Sequence, residues 1–293
     1  MMYDRSVSHC CRCAILFIVD CSLSMKNFTR FSNTIKSKIE VAAIIVNHFI
    51  DELVARATRN AYTRDYYDIG VIGYSGYEAV SLLTCDDRRI FVRVPQLAEA
   101  LPQPKSIYLN QQLHDGRMIS VPMNIHPWIE PAAAGASPMY EAMVMAKTVL
   151  REWCDDPANR FGHAPMVFHI TDGTCSDADD LEIVSLAEEI KELEHRGDKV
   201  MLFNVYLATT DEGDESEDIY PREEMFATAD RDREFIYRLS STLPHRLERC
   251  VAELLEPHSS GPYRATAFNI SPLSMLSLIK IGTQQEALQR PDQ

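Results

Sequence analysis

An uninterrupted apolar run near the start of the chain is the feature that most limits its possible folds. Residues 13–19 (CAILFIV) contain no charged side chain, are rich in β-branched and aromatic residues, and are followed directly by Asp20. Alternating polar and apolar residues would indicate a strand with one exposed face, whereas a continuous run indicates a strand covered on both faces. The sequence therefore predicts a central strand of a layered α/β sheet.

The rest of the chain alternates between similar runs and amphipathic stretches. Residues 37–59 repeat apolar side chains at spacings of three and four, which predicts a helix. Further helices are expected over residues 138–153, 179–195, 222–256 and 272–281. Further strands are expected over residues 68–74, 79–83, 164–171, 199–208 and 264–269. This order predicts a doubly wound α/β fold with a mostly parallel sheet and helices on both faces. The short link between the strands at 68–74 and 79–83 predicts that these two strands form an antiparallel hairpin.

The 293 residues are expected to form a single domain (1–293, core about 13–282) with two excursions. Residues 84–134 contain six prolines and little regular patterning, which predicts an insertion with a small hairpin of its own. Residues 209–221 include an acidic run, which is typical of a solvent-exposed loop. No internal repeat and no Gly/Ser-rich linker divides the sequence.

The charge balance excludes two classes of partner. Lys and Arg total 29 and Asp and Glu total 43, which gives a net charge of −14. Nucleic-acid backbones and anionic membranes both attract basic surfaces, so neither is expected to bind this chain. No apolar run approaches the roughly 18–20 residues that cross a bilayer, and residues 14–19 are too short for a signal-peptide core. With eight irregularly spaced cysteines, these features predict a cytoplasmic protein with reduced thiols.

Three polar loops lie where predicted strands end or a helix begins. They are residues 20–24 (DCSLS), residues 135–140 (GASPMY) and residues 171–173 (TDG). In an open α/β sheet such loops meet beyond the carboxyl ends of the strands. Their aspartate and serine side chains supply two carboxylates and three hydroxyls, the hard oxygen donors that Mg²⁺ or Mn²⁺ prefers. The predicted metal ligands are Asp20, Ser22, Ser24, Ser137 and Asp172.

These ligands resemble the metal-ion-dependent adhesion site of the von Willebrand factor A (vWA) domain family. The family pattern is Asp-x-Ser-x-Ser, then a Thr, then an Asp. This chain has Asp20-x-Ser22-x-Ser24, then Ser137 in place of the threonine, then Asp172. The resemblance implies that the hydroxyls of Ser22 and Ser24 ligate the metal directly. It also implies that the hydroxyl of Ser137 ligates the metal directly when an external ligand is bound. It implies that the two carboxylates act directly or through coordinated water.

The resemblance to the vWA family covers about residues 13–281 and implies a six-stranded sheet with one antiparallel edge strand. It also implies a non-catalytic module that binds an Asp or Glu of a protein partner through its metal. Residues 240–244 (SSTLP) and 267–272 (AFNISP), with Ile281-Gly282, resemble intracellular bacterial vWA proteins of the tellurite-resistance-associated group. That second resemblance implies a signalling or stress-response assembly with a kinase or phosphatase system component as partner. Because residues 211–218 are acidic, we expect the partner's carboxylate to project from an otherwise basic or neutral surface.

A divalent-metal phosphohydrolase that uses the same oxygen cluster is the alternative function. The sequence offers no general acid or base near the metal other than Asp20 and Asp172. Haloacid-dehalogenase-like phosphatases carry a second Asp two positions after the first, where this chain has Ser22. Residues 73–77 (GYSGY) lack the final glycine of a nucleophile elbow. The sequence therefore favours the binding module over the enzyme.

One histidine and two cysteines near these loops need separate interpretation. His169 lies within a predicted strand and is expected to be a hydrogen-bonded core residue. Cys21 and Cys175 lie in two loops that are expected to be adjacent. A redox switch between these thiols is an alternative to two small side chains that are merely tolerated beside the site.

Overall fold

The computed structural model describes residues 12–83, 89–112, 117–209, 217–222, 231–255, 262–270 and 274. Its strands in chain order are β1 (Cys13–Asp20), β2 (Phe28–Phe31), β3 (Thr34–Ser37), β4 (Thr58–Arg59), β5 (Tyr62–Thr63), β6 (Tyr67–Ser75), β7 (Glu78–Ser81), β8 (Phe91–Arg93), β9 (Lys105–Gln112), β10 (Met118–Ile125), β11 (His163–Thr171), β12 (Glu194–His195), β13 (Asp198–Lys199), β14 (Met201–Tyr206), β15 (Asp218–Ile219) and β16 (Thr266–Phe268). Its α-helices are α1 (Lys38–Ala57), α2 (Val94–Glu99), α3 (Met139–Asp155), α4 (Asp180–Lys191), α5 (Arg231–Leu239) and α6 (His245–Leu255). Short 3-10 helices span Leu23–Lys26 and Pro157–Asn159.

A single central sheet organises the fold. Its strand order is β15-β16-β14-β11-β1-β6-β7, and β8 also pairs with β6. Neighbouring strands from β16 to β6 are parallel, whereas β7, β8 and β15 pair antiparallel with their neighbours. The predicted mixed α/β fold with a mostly parallel sheet is confirmed, and so is the antiparallel pairing of β6 with β7.

Two details of the predicted architecture are wrong. In the described residues the sheet has eight strands, not six, with antiparallel strands at both edges. The unpredicted strands β8 and β15 have three and two residues, too few to produce a recognisable hydrophobic period. In addition, α4 ends at Lys191 instead of continuing to position 195. The β12–β13 hairpin follows it, turning through Arg196 and Gly197 at φ 57° and 86°, as a tight hairpin turn requires.

Helices cover both faces of the sheet. The packing of β1 between them explains why apolar and polar residues do not alternate in its sequence. Ile15, Phe17 and Val19 pack in a cluster with the apolar stripe of α1. Leu16 and Ile18 pack in a second cluster with α3 and α4. None of these five side chains is exposed to solvent. The parallel strands thus lie inside the protein, and their carboxyl ends open together at one edge of the sheet.

The predicted insertion at 84–134 contributes in two ways. β8 joins the central sheet, and β9 pairs with β10 in the antiparallel hairpin expected for this region. Asn47 of α1 donates to the carbonyl of Ile129 over 3.0 Å and accepts from its N–H over 2.9 Å. The chain after β10 is therefore anchored to α1.

Some predicted segments fall outside the described residues. Residues 210–216, most of the acidic segment 209–221, are among them, and so is the closing helix expected at 272–281 apart from residue 274. The expected helical region 222–256 contains α5 and α6 in its described part. No helix in the described ranges is long and apolar enough to cross a membrane.

Candidate metal centre

The five predicted ligands converge at the carboxyl end of the central sheet. Asp20 is the last residue of β1, and Asp172 follows the neighbouring parallel strand β11. Ser22 and Ser24 lie in the loop after β1, and Ser137 lies two residues before α3. All but Ser24 are buried, with at most 5% of each residue exposed. The site is therefore a buried cluster that reaches solvent on the side of Ser24.

Backbone hydrogen bonds hold the three loops against one another. The N–H of Leu23 donates to the carbonyl of Gly135 over 2.9 Å, and the N–H of Ser176 donates to the carbonyl of Ser137 over 2.9 Å. Gly135 has φ 69°, and a Cβ there would lie 2.9 Å from the backbone of Gly76. Only glycine allows the second loop to pass this close to the β6–β7 turn.

The side-chain oxygens are spaced as ligands of one small cation would be. The hydroxyls of Ser22 and Ser24 are 3.0 Å apart. Oγ of Ser137 lies 3.3 Å from Oδ2 of Asp20. Adjacent oxygens around an octahedral Mg²⁺ with bonds of roughly 2.0–2.1 Å are about 3 Å apart. These two pairs thus fit edges of such an octahedron.

The chemistry of the donors also limits the type of metal. Within the described parts of the chain no cluster of three or more His, Cys, Asp or Glu side chains could hold a metal ion. A cation at this site would therefore depend on hydroxyl ligands together with Asp20 and Asp172. Neutral hydroxyls with carboxylates suit Mg²⁺ or Mn²⁺, whereas zinc favours imidazole and thiolate.

The electrostatics of Asp20 indicate a shortage of positive charge at the site. Burial, and then the nearby charge of Asp172, raise the pKa of Asp20 to about 6. Hydrogen bonds from the N–H of Ser22 (2.8 Å) and the hydroxyl of Thr171 (3.1 Å) oppose this rise. A cation placed between the two carboxylates would favour their charged forms.

A lysine that the sequence analysis did not single out lies at the site. Nζ of Lys38, the first residue of α1, is 3.3 Å from Oδ2 of Asp172, and the two side chains are only 4% and 2% exposed. Lys38 lies four residues before Ala42. Because residues four apart share one face of a helix, Lys38 continues the buried stripe of α1. A lysine on an apolar stripe was the signal for this contact. Its ammonium group offsets one of the two carboxylates.

Thr174 is a second functional residue that the sequence analysis missed. Its hydroxyl donates to Oδ1 of Asp172 over 2.8 Å and lies 3.3 Å from the hydroxyl of Ser24. Its carbonyl accepts a hydrogen bond from the Ser137 hydroxyl over 2.8 Å. Thr174 therefore links all three loops. Its position directly after the predicted loop 171–173 was the available signal that it could lie at the site.

His169 is the hydrogen-bonded core residue that was predicted. Its Nε2 is 2.9 Å from the hydroxyl of Tyr74, and its Nδ1 is 2.9 Å from Oδ1 of Asn204. An amide oxygen only accepts, so Nδ1 carries the proton and Nε2 accepts from Tyr74. Burial lowers the pKa of His169 to about 4. The imidazole is neutral at pH 7, and both of its nitrogens are occupied.

The two cysteines near the site do not face each other. Cys21 packs in the cluster beneath α1, whereas Cys175 packs against the cluster on the opposite face of the sheet. Both thiols are free. Burial raises the pKa of Cys21 to about 12, which disfavours the reactive thiolate. These contacts favour small tolerated side chains over a redox switch.

We expect the ionisation of Asp20 to lower the stability of the metal-free protein as the pH rises from about 4 to about 6. The pKa of Asp20 increases from 3.8 to about 6 on folding, so the folded state retains a proton that the unfolded state releases in this window. Relative to Asp20→Asn, the free energy of unfolding should fall by about 3 kcal/mol over this window. The lowered pKa of His169 acts in the opposite direction, equally in both proteins. Urea unfolding in chelator between pH 4 and pH 8 measures the slope.

Asp20→Asn should remove the contribution of Asp20 to the pH dependence, because the amide does not titrate. Asp156→Asn is the matched control, since Asp156 is an exposed capping residue and asparagine caps equally well. Equal slopes in wild type and Asp20→Asn would contradict the assignment to Asp20.

Comparison with known proteins gives structural neighbours only. No family model and no curated protein sequence matches the chain. Similar solved structures include a von Willebrand factor type A protein from Catenulispora acidiphila, at 11% identity and TM-score 0.38, with 67% of this chain and 33% of that one covered. They also include an uncharacterized membrane spanning protein from Vibrio fischeri, at 14% identity and TM-score 0.27, with 67% and 70% covered. The matched region spans about a third of the Catenulispora chain.

Proposed function

We propose that this chain is a vWA-like domain that binds Mg²⁺ or Mn²⁺ at a metal-ion-dependent adhesion site and, through the metal, an Asp or Glu of a protein partner. The observation that carries the proposal is the convergence of two carboxylates and three hydroxyls at the carboxyl end of the parallel sheet. Their spacings of 3.0 and 3.3 Å fit one small cation. Ser22, Ser24 and Ser137 would ligate it, with Asp20 and Asp172 as direct or water-mediated ligands.

The charges of the site explain why a carboxylate would be the external ligand. A bound divalent cation would supply an electrophilic coordination position for an incoming oxygen. Asp20 and Asp172 contribute two negative charges and Lys38 one positive charge, so the loaded site would carry a net charge of +1. The hydroxyls of Ser22, Ser24 and Ser137 add no charge. An anionic group would therefore gain from entering the site, and a neutral one would gain less.

Affinity capture tests this proposal directly. The protein is immobilised and exposed to extract from the cells that produce it, with Mg²⁺ in one arm and a chelator in the other. We expect specific proteins to be retained only with Mg²⁺, and to be lost from Ser22→Ala. Retention of the same proteins with chelator would contradict a metal-dependent interface. The cytoplasmic location and the kinase or phosphatase system as source of the partner stay predictions.

We also expect no hydrolytic turnover. Catalysis of hydrolysis needs a positioned group that moves a proton, and Asp20 and Asp172 would be engaged by the metal. His169 is neutral with both nitrogens bonded, and Lys38 is paired with Asp172. A screen of phosphate esters and carboxylic esters with added Mn²⁺ should give rates equal to buffer. Activity that disappears in Asp20→Ala would instead support the alternative, a divalent-metal phosphohydrolase.

A further inference from the structure

The β2–β3 hairpin beside the candidate metal centre is positively charged, whereas the whole chain is negatively charged. The segment 21–39 contains Lys26, Arg30, Lys36 and Lys38 and no acidic residue, in a chain with a net charge of −14. Strands β2 and β3 form an antiparallel hairpin within this segment. Lys38 is paired with Asp172, so Lys26, Arg30 and Lys36 give this element of the metal rim a net positive charge.

The base of the β2–β3 hairpin is part of the candidate metal centre. The N–H of Lys38 donates to the carbonyl of Asn27 over 2.9 Å, which closes the hairpin at its base. Lys38 then reaches Asp172, and the residues that lead into the hairpin follow Ser24 directly. A partner that places a carboxylate on the metal would thus meet the hairpin next.

One face of the hairpin is exposed and combines apolar side chains with the basic Arg30. Along β2 the side chains of Thr29 and Phe31 are buried, whereas Phe28 is 59% exposed. Ile35 of β3 is 62% exposed, and Leu23, in the loop that carries the predicted ligands, is 55% exposed. Single exposed apolar side chains are ordinary on a soluble protein, but a group of them beside a candidate site indicates contact with another molecule.

The opposite side of the rim has the reverse charge. Asp177 accepts hydrogen bonds from the N–H groups of Tyr140 and Glu141 at the start of α3. Asp179 caps α4, and both aspartates are exposed. These residues lie with α3 and α4 on the face of the sheet away from α1. An acidic ligand would be repelled from that side and attracted to the hairpin.

We propose that the outer face of the β2–β3 hairpin, together with Leu23, is the docking surface for an acidic segment of the protein partner. In that segment the carboxylate bound by the metal is accompanied by apolar side chains and further acidic residues. The inference rests on the proposed function, because the hairpin adds to a metal-bound contact. A four-residue strand is about 13 Å long, which matches about four residues of an extended segment. The segment is acidic where it meets the hairpin, in contrast to the basic or neutral surface expected from residues 211–218.

A random twelve-residue peptide library displayed on phage provides the probe. Selection on the wild-type protein with Mn²⁺, followed by elution with chelator, recovers only peptides held through a metal. We expect these peptides to be enriched in Asp, Glu and apolar residues relative to the unselected library. Their synthetic forms are then measured against a hairpin variant, Ile35→Thr with Arg30→Gln. These two residues are cross-strand partners on the outer face, and threonine keeps a β-branched residue in β3.

The matched control is Leu101→Thr with Arg151→Gln. Leu101 is 47% exposed after α2, and Arg151 is exposed near the end of α3, so the control removes the same kinds of group far from the metal rim. We expect the hairpin variant to weaken peptide binding about fivefold or more, as the loss of one buried apolar contact and one charge implies. The control should change binding less than about twofold, in line with surface substitutions outside an interface.

The possible results separate this inference from the proposed function. Peptides that elute with chelator but bind the hairpin variant as tightly as wild type, or that are enriched in Lys and Arg, would overturn the docking surface alone. Peptides that remain bound in chelator, or no enrichment over a selection on Asp172→Ala, would overturn both. Thermal shifts with Mn²⁺ in the hairpin variant should equal those of wild type, which shows that the variant folds and retains the metal.

Discussion

Addition of Mg²⁺ or Mn²⁺ to the chelator-treated protein is expected to raise its melting temperature by about 5 °C or more once the metal is at a hundredfold excess over its Kd. A ligand that binds only the folded state adds about 2.7 kcal/mol of stability at that excess, and a chain of this size gains roughly 2–4 °C per kcal/mol. Asp172→Ala should abolish the shift. Differential scanning calorimetry across a metal titration measures it.

Two further variants keep this prediction falsifiable. Asp172→Ala leaves the buried ammonium of Lys38 without its partner, so it will also lower the melting temperature of the metal-free protein. Ser22→Ala with Ser24→Ala removes two predicted ligands without removing a charge, and it should also suppress the shift. Asp156→Ala, at the other end of α3 from Ser137, should retain it. Identical shifts in wild type and both site variants would show that the metal binds elsewhere.

The positions of the five candidate ligands could be predicted because strong local patterns flank them. β1 is fully buried, and β11 is buried apart from its first residue, His163. Their long apolar runs therefore determine where Asp20 and Asp172 follow. Parallel pairing of β1 with β11 then brings both carboxylates to one edge. The ligand set therefore followed from strand ends, without any knowledge of loop geometry.

The basic hairpin could not be predicted from the same patterns. β2 and β3 have four residues each and pair only with each other, and so short a segment shows no decisive period. Its turn is formed by Ser32 and Asn33, with φ of 51° and 54°. This Ser-Asn pair is not the Asn-Gly or Asp-Gly pair that indicates a tight hairpin turn in a sequence. The weakness of the local signal concealed the surface that we propose for docking.

The Lys38–Asp172 pair escaped prediction for a different reason. α1 was correctly predicted, but a helix pattern is defined by its apolar residues, and Lys38 is the first residue of the helix. At a helix terminus a lysine is usually solvated, so its position four residues before Ala42 on the stripe of α1 is too weak a signal to predict burial. Only the packing of α1 beside β11 brings its ammonium group to the carboxylate. Long-range contacts of this kind are set by tertiary structure, not by the residues around them.

Replacement of this buried lysine is expected to change both metal affinity and stability. Lys38→Met should lower the Kd for the metal by about tenfold to a hundredfold, and it should destabilise the metal-free protein. Two unit charges at 4 Å interact with about 4 kcal/mol at an effective dielectric constant of 20, and the ammonium group opposes a divalent cation beside the same carboxylate. Methionine retains the length and apolar stem of lysine but not its charge. Without metal, Asp172 would then be a buried carboxylate that lacks its counter-ion, which costs about 3–5 kcal/mol.

Lys191→Met is the matched control, because Lys191 is also buried and ion-paired, with Glu188, but lies in α4 away from the candidate centre. Both variants should lower the melting temperature in chelator, since each removes one member of an ion pair. Only Lys38→Met should recover stability on addition of Mn²⁺ beyond the gain seen in wild type, and only its Kd in isothermal titration should fall. If the Kd values of both variants equal that of wild type, the ammonium of Lys38 does not compete with the cation. In that case the lysine serves as the permanent counter-ion of Asp172, and the loaded site keeps the net charge of +1 that favours a carboxylate ligand.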